Sequence, residues 1–312
     1  MQQTLMKIEI EEDFEDIRLD KVLSSYLSDL SRTYIQKLIS DGLVTLAGKT
    51  LKANFKVSIG QEIEVRLPEP ETLKLLPEDI PLDILYEDAD VIVVNKPKNM
   101  VVHPAAGHYS GTLVNALLYH CKDSLSGING IMRPGIVHRI DKDTTGALVV
   151  CKNDYSHQMI AAQLKEHSII RRYEAIVYQA FKDLEGRIEG PIGRHPSERT
   201  KMAINYKNGK NAITNYKVIE NFGTSYAHVE CRLETGRTHQ IRVHMSSIHH
   251  PLLGDTVYGS NKDIFGLEGQ TLHAKILGFI HPTTKKYMEF EAPTPEYFLT
   301  LIQKLKQKGI NS

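Results

Sequence analysis

Tryptophan is missing from the 312 residues, and cysteine occurs three times, at Cys121, Cys151 and Cys231, with no CxxC pair. An odd, scattered set suits neither a disulfide framework nor a zinc site, and it fits a reducing compartment better. Long apolar runs are also missing. The best, VIVV at 91–94, is far short of the roughly 18 to 20 residues of a membrane-spanning helix. The opening MQQTLMKIEIEEDF turns acidic at once and has no apolar core of the kind a secretory signal carries, so the expected location is the cytoplasm. There is no excess of either charge, since 38 Lys and Arg balance 38 Asp and Glu. The whole-chain total therefore gives no sign of a polyanionic partner. Neither a Walker P-loop nor a GxGxxG fingerprint is present, so no nucleotide cofactor is expected.

What is there is the composition of a folded globular protein, 41% apolar and 24% charged. The clearest boundary is LPEPETLKLLPEDIP, Leu67 to Pro81, where four prolines disfavour helix and strand interiors. It predicts a small module over 1–67, a Pro-rich linker over 68–80 and a body over 81–306. Within the module, Leu19, Val22, Leu23, Tyr26 and Leu27 fall on one helix face. Ser31 then stands as N-cap of a second helix, SRTYIQKLISDG, with Gly42 as its stop. LVTLAGKTLK and SIGQEIEV read as short strands. From Arg18 to Arg66 eight Lys/Arg face five Asp/Glu, and from Ile192 to Lys217 six face one. Two local basic surfaces on a neutral chain are compatible with nucleic acid, although each alone is commonly just a solvated face. The acidic Glu9–Asp16 lead-in is less easily fitted to RNA binding.

The body is strand-rich. DVIVVNKP, GIVHRI, ALVVCK, RRYEAIVY, AITNYKVIE, YAHVECRLE, LHAKILGFI and KKYMEFEAP read as strands. SHQMIAAQLKEH and RTHQIRVHMSSIHHP read as helices, and Thr294-Pro295 opens a last one, PEYFLTLIQKLKQK. Strands without regular βαβ alternation predict an α+β body with a mixed, largely antiparallel sheet, preceded by a module of an αα-hairpin and β-strands.

Between two of the predicted strands lies HRIDKDTTG, His138 to Gly146. Read from its residues alone it is a hairpin loop whose Asp and Thr side chains bond their own backbone while Gly146 supplies an unusual φ. A second reading is phosphoryl transfer. DKDTTG resembles the aspartyl-phosphate motif DKTGT of P-type ATPases, and GDTVYGSNKD at 254–263 loosely resembles their GDGxND magnesium motif. The match has an inserted residue and lacks the transmembrane helices.

HRIDKDTTG also closely resembles the HRLDxxTSG signature of the RluA/RluD family of RNA pseudouridine synthases. NKPKNMVVHP, RRYEAIVY, RHPSERTKMAI, GKNAITNY, ETGRTHQIRVHM and PLLGDTVYG resemble further segments of that family in the same order. The module resembles an S4 RNA-binding domain beginning at IRLDKVL. Thr145 and Ile140 are mild departures. The likeness is closest to the subfamily acting on large-subunit ribosomal RNA. It implies conversion of uridine to its C-glycoside isomer, with no external donor and no metal.

The resemblance carries the role of catalytic carboxylate onto Asp141, as nucleophile at C1′ or as base at C2′. A carboxylate near RNA phosphates and a desolvating base has its pKa pushed up. The resemblance assigns Arg242 to oppose this; a cation 4 Å away contributes on the order of 4 kcal/mol at an effective dielectric near 20. Tyr173 is implied as the active-site tyrosine, stacking on uracil and helping remove the C5 proton. A strand tyrosine or helix arginine is otherwise more often core or surface. Arg139 is implied to fill the space of the extruded base, and Leu272 to wall it. Phosphate contacts are expected from the Arg194–Lys210 segment, including Lys201, and from Arg18, Arg32, Lys37 and Lys49 of the module. Asp143 is assigned to loop geometry. The spacings of His103, His138, His239 and His244 match no zinc pattern. A monomer is expected. The alternatives are a catalytically silent RNA-binding or ribosome-assembly factor, and an aspartyl-phosphate phosphotransferase.

Overall fold

The computed structural model describes residues 3–27, 30, 32–68, 75–104, 109–122, 124–128, 130, 133–198, 201–260 and 265–310. Contacts divide the chain into two compact units, 1–74 and 75–312. No helix among the described residues is long and apolar enough to cross a membrane.

The first unit runs β1 (Gln3–Glu9), α1 (Leu19–Tyr26), α2 (Arg32–Ser40), β2 (Val44–Leu46), β3 (Lys49–Thr50) and β4 (Glu62–Pro68). Leu19, Val22 and Leu23 of α1 and Ile35, Leu38 and Ile39 of α2 are buried, as their helical spacing predicts. They join Ile8, Val44, Ile63 and Val65 in one core. Ser31, expected as the N-cap of α2, lies outside the described residues. The strands take the order β1-β4-β2-β3. Strand β1 went unforeseen; it pairs antiparallel with β4 from Gln3–Pro68 to Glu9–Glu62. The acidic lead-in now has local partners. Glu15 accepts the Ile59 amide at 2.6 Å, and Asp16 pairs with Lys56 at 2.6 Å.

The second unit contains β5 (Ile84–Glu87), β6 (Val91–Lys96), α3 (Leu113–Cys121), β7 (Thr145–Cys151), α4 (Asp154–Lys165), β8 (Ile170–Tyr178), β9 (Glu185–Glu189), β10 (Ile192–Arg194), β11 (Met202–Ile204), β12 (Ile213–Phe222), β13 (Tyr226–Leu233), α5 (Gln240–Ser247), β14 (Leu272–Ile280), β15 (Tyr287–Glu291) and α6 (Glu296–Ile310). Among the described residues nine strands form one sheet, in the order β5-β6-β7-β14-β8-β13-β12-β9 with β15 on β14. Every pairing is antiparallel except β7 with β14. The central strands are covered on both faces, which is why VIVV and ALVVC are continuous rather than alternating apolar runs. On one face Ile92, Leu148, Tyr173 and Ala175 meet Leu117 of α3 and Ile241 and Met245 of α5. On the other, Val93 and Val149 meet Ile160 of α4, and Ile176 meets Phe298 and Leu301 of α6.

Three expectations change. GIVHRI is not a strand. It makes a single bridge, Ile136 to Val150, and His138 Nε2 accepts the Val149 amide at 3.1 Å, taking a donor that a paired strand would use. Helix α5 is shorter than its pattern and ends at Ser247. Residues 75–80, read as linker, instead lie on α3. Glu78 donates its amide to the Asn115 carbonyl, and Asn115 Nδ2 donates to Leu76. Helix α3 went unforeseen. It is apolar nearly all round, with Leu113, Val114, Ala116 and Leu117 all buried, and so shows no stripe to read.

Candidate active site

Asp141 follows the coil 138–140 and precedes β7, on the sheet face covered by α5. Two interactions fix its loop. Thr144 donates its amide to the Asp141 carbonyl at 3.1 Å. From below, the fully buried Lys96 donates to the carbonyls of Pro97, Met100 and Lys142 at 2.7, 2.9 and 3.0 Å. Burial pushes this lysine's pKa down to about 7, with Asp143 and Asp141 working the other way. Three carbonyl acceptors use all three protons of an ammonium group. Gly146 closes the loop inside β7. At φ +111° its Cα lies so close to β14 that an added Cβ would stand 2.2 Å from the Ala274 oxygen.

Helix α5 supplies the counter-charge. Its start is tied by its own Gln240, whose Oε1 accepts from the Arg237 amide and the Thr235 hydroxyl, and whose Nε2 donates to Ile213 and Thr214. Two residues on, Arg242 donates from Nη1 to Asp141 Oδ2 at 3.0 Å. Its other edge forms a bidentate pair with the fully buried Asp255, at 2.6 and 3.0 Å. Asp255 also accepts the amides of Val257 and Tyr258, which locks the fork. Burial works against the Arg242 charge, but the Asp255 and Asp141 contacts outweigh it and hold its pKa above the usual value. Its guanidinium lies over the Tyr258 ring, 5.0 Å from the centroid.

His239 comes next to this pair. Its Nδ1 is 2.8 Å from the Tyr258 hydroxyl, which already accepts the Met202 amide at 2.8 Å. The phenol proton is free to go to Nδ1, and Nε2 lies 3.8 Å from Asp141 Oδ1. Burial lowers the pKa of His239, so the ring is neutral at pH 7.

Asp141, Arg242, Tyr173, Leu272 and Arg139 all line one cavity of about 530 Å³, within the size range of ligand pockets. Tyr173 is buried on β8. Burial raises its pKa and Asp141 adds to this, while Arg171 opposes. It is therefore a neutral phenol at pH 7, fitted to stack or relay a proton rather than to abstract one as phenolate. Arg139 is exposed at the rim, with Nη1 3.4 Å from His103 Nε2.

Other expected residues lie elsewhere. Arg194 is exposed on β10, and Lys201 beside β11 pairs with Glu198 at 2.7 Å. Neither lines the cavity, though the Met202 amide ties their hairpin to Tyr258. In the first unit, Arg18 and Arg32 are held by the buried Asp20 at 3.0 and 2.9 Å, which orients both partly exposed guanidinia. Lys37 and Lys49 are exposed on α2 and β3. Each of the four histidines has its own partners: His244 bonds Thr214 and Gly190, His138 bonds Val149, and His239 and His103 are as above.

Asp255, His239 and Tyr258 were missed as site residues. All three sat in motifs that carry the family resemblance, His239 in ETGRTHQIRVHM and Asp255 and Tyr258 in PLLGDTVYG, but nothing in their spacing showed that they converge. The phosphoryl-transfer reading also loses its second motif, since Asp255 spends both oxygens on Arg242.

Residues 90–247 match the family model for RNA pseudouridylate synthase, and residues 17–63 match that of the S4 domain. The chain is 52% identical over 298 residues to a Bacillus subtilis (strain 168) protein named uncharacterized RNA pseudouridine synthase YlyB, covering 96% of this chain and 97% of that one. It is 47% identical to a Zymomonas mobilis protein named ribosomal large subunit pseudouridine synthase D, with the same coverages. Among solved structures, human RNA pseudouridylate synthase domain containing 1 superposes with a TM-score of 0.55 at 25% identity, covering 77% of this chain and 98% of that one. The chain belongs to the RNA pseudouridine synthase family and carries an S4 domain.

Proposed function

We propose that the protein isomerises uridines of large-subunit ribosomal RNA and that Asp141 is the group acting on the ribose. The observation that carries this is the Asp141–Arg242 contact, 3.0 Å long, in a cavity that Tyr173 and Leu272 also line. The reaction breaks the N1–C1′ bond, turns the uracil and joins C5 to C1′, while C5 loses its proton and N1 regains one. It is redox-neutral and consumes no second substrate. Asp141 serves as nucleophile at C1′ or as base at C2′, in both roles as a carboxylate, and Arg242 holds it from Nη1. Arg139 at the rim fills the stack left by the extruded base, and Leu272 walls the pocket. Arg194, Lys201, Arg18, Arg32, Lys37 and Lys49 contact phosphates and position the RNA more than they read it. The ribosomal target is supported by relatives named for it.

The test is tritium release from a large-subunit ribosomal RNA transcript labelled at uridine C5, run in EDTA, with small-subunit and transfer RNA of the same organism as comparison. Release by the wild type, lost in Asp141→Asn without loss of RNA binding, is the expected result. Turnover by Asp141→Asn would remove the assignment, and stronger release from transfer RNA would remove the ribosomal target.

A further inference from the structure

The cavity has a second charged feature that the Asp141 chemistry does not use. Arg171 lies on β8 two residues before Tyr173, on the same strand face, and is 93% buried, at 7% relative exposure. No carboxylate among the described residues pairs with it. Its Nε and Nη2 are buried and have no hydrogen-bond acceptor among the described residues. Its Nη1 occupies the place a side chain at Gly236 would take, 2.4 Å from that position, in the wall of the cavity. Arg237 is close enough to oppose its charge, and Lys165 and His167 also line the cavity. A buried guanidinium is ordinarily matched by a carboxylate, because an unmatched one costs stability. Here no carboxylate among the described residues neutralises the charge, and a second arginine stands close to it.

We propose that Arg171, backed by Arg237, is the binding site for a phosphodiester of the RNA strand beside the target uridine. This rests on reading the cavity as the uridine site. A nucleotide whose ribose faces Asp141 carries phosphates on both sides of that ribose, and Arg242 is already committed to two carboxylates. Arg171 supplies an anion site that no carboxylate among the described residues fills. Gly236 leaves the space in which its head group lies.

The experiment measures RNA affinity of the full chain against salt, together with the melting temperature, for wild type, Arg171→Met and Arg171→Lys. Loss of one phosphate contact flattens the slope of log affinity on log salt by about 0.7 to 0.9. Arg171→Met should show that loss while melting at the same or a higher temperature, since it removes orphaned buried donors. Arg171→Lys should recover at least half of the slope. An unchanged slope in Arg171→Met overturns the proposal, and a lowered melting temperature alongside it would make Arg171 a structural residue. If Arg171→Met does not fold, the slope of Arg171→Gln decides in the same way. Inorganic phosphate that raises the melting temperature of wild type only, with equal RNA slopes, would make this a free-anion site and also overturn it. Absence of tritium release by the wild type would sink the uridine reading separately, because the slopes need no turnover.

Discussion

Asp255 spends both oxygens on the Arg242 fork, so an asparagine there would turn an amide N–H toward a guanidinium N–H and loosen Arg242 from that side. Turnover by Asp255→Asn should fall at least about tenfold, equivalent to ~1.4 kcal/mol of transition-state stabilisation. RNA affinity should stay within about twofold, as checked by single-turnover tritium release and filter binding. Equal losses in both would mean that Arg242 only holds RNA. Tyr173 makes a different case. Burial raises its pKa, so the neutral phenol persists below that raised value and is lost only as pH passes above it. The rate should therefore hold level to about pH 10, the ordinary tyrosine value, and fall beyond it. Tyr173→Phe keeps the ring, so KM should hold while kcat drops on the order of a hundredfold. A wild-type rate that falls between pH 8 and 9 would exclude this phenol as the limiting group.

Gly146 is where a single residue decides the pairing of two strands. A Cβ at φ +111° would stand 2.2 Å from the Ala274 oxygen, in the parallel β7–β14 step that sets HRIDKDTTG beside Leu272. Gly146→Ala should cost upwards of about 4 kcal/mol, visible as a collapse of the urea midpoint, whereas relief within ~1 kcal/mol would show that the strands can part freely. The other elements differ in how readily the chain disclosed them. Helices α1 and α2 were legible because one face of each is apolar and the other solvated. GIVHRI looked like a strand for its branched residues, yet Gly135 at φ +70° and the His138 ring on the Val149 amide divert it. The site was legible only as a set of motifs. Asp141, Tyr173 and Arg242 come from a coil, a strand and a helix, and no local periodicity joins them. Arg171 sat in full view in RRYEAIVY, but an arginine two residues before a strand tyrosine reads as surface until the sheet is seen to be covered on both faces.

At the scale of the whole molecule, zero net charge conceals a cavity lined, among the described residues, by five Arg and Lys, Arg139, Lys165, Arg171, Arg237 and Arg242, against the single carboxylate Asp141. Acid should unfold the protein partly through its histidines. Burial lowers the pKa of His138 to about 3 and, with Arg139 and Arg133 adding, that of His103 to about 4. Both are depressed below the unfolded value near 6.5, so their contribution is complete above that pH. It is lost as pH falls through the window toward 4 and 3, where the unfolded chain takes up protons that the fold refuses. Each histidine should contribute a slope of roughly 1.4 kcal/mol per pH unit there. Urea midpoints from pH 7 to 4.5 should show a shallower fall for His138→Gln than for wild type, and identical profiles would assign the acid sensitivity to other groups. Lys96 has a consequence of another kind. Its amine is walled in by three carbonyls, two of them from the turn after β6 and one from the residue following Asp141. An acylating reagent can reach it only when those segments separate, so the rate at which this one lysine is tagged is a clock for how often the loop lets go.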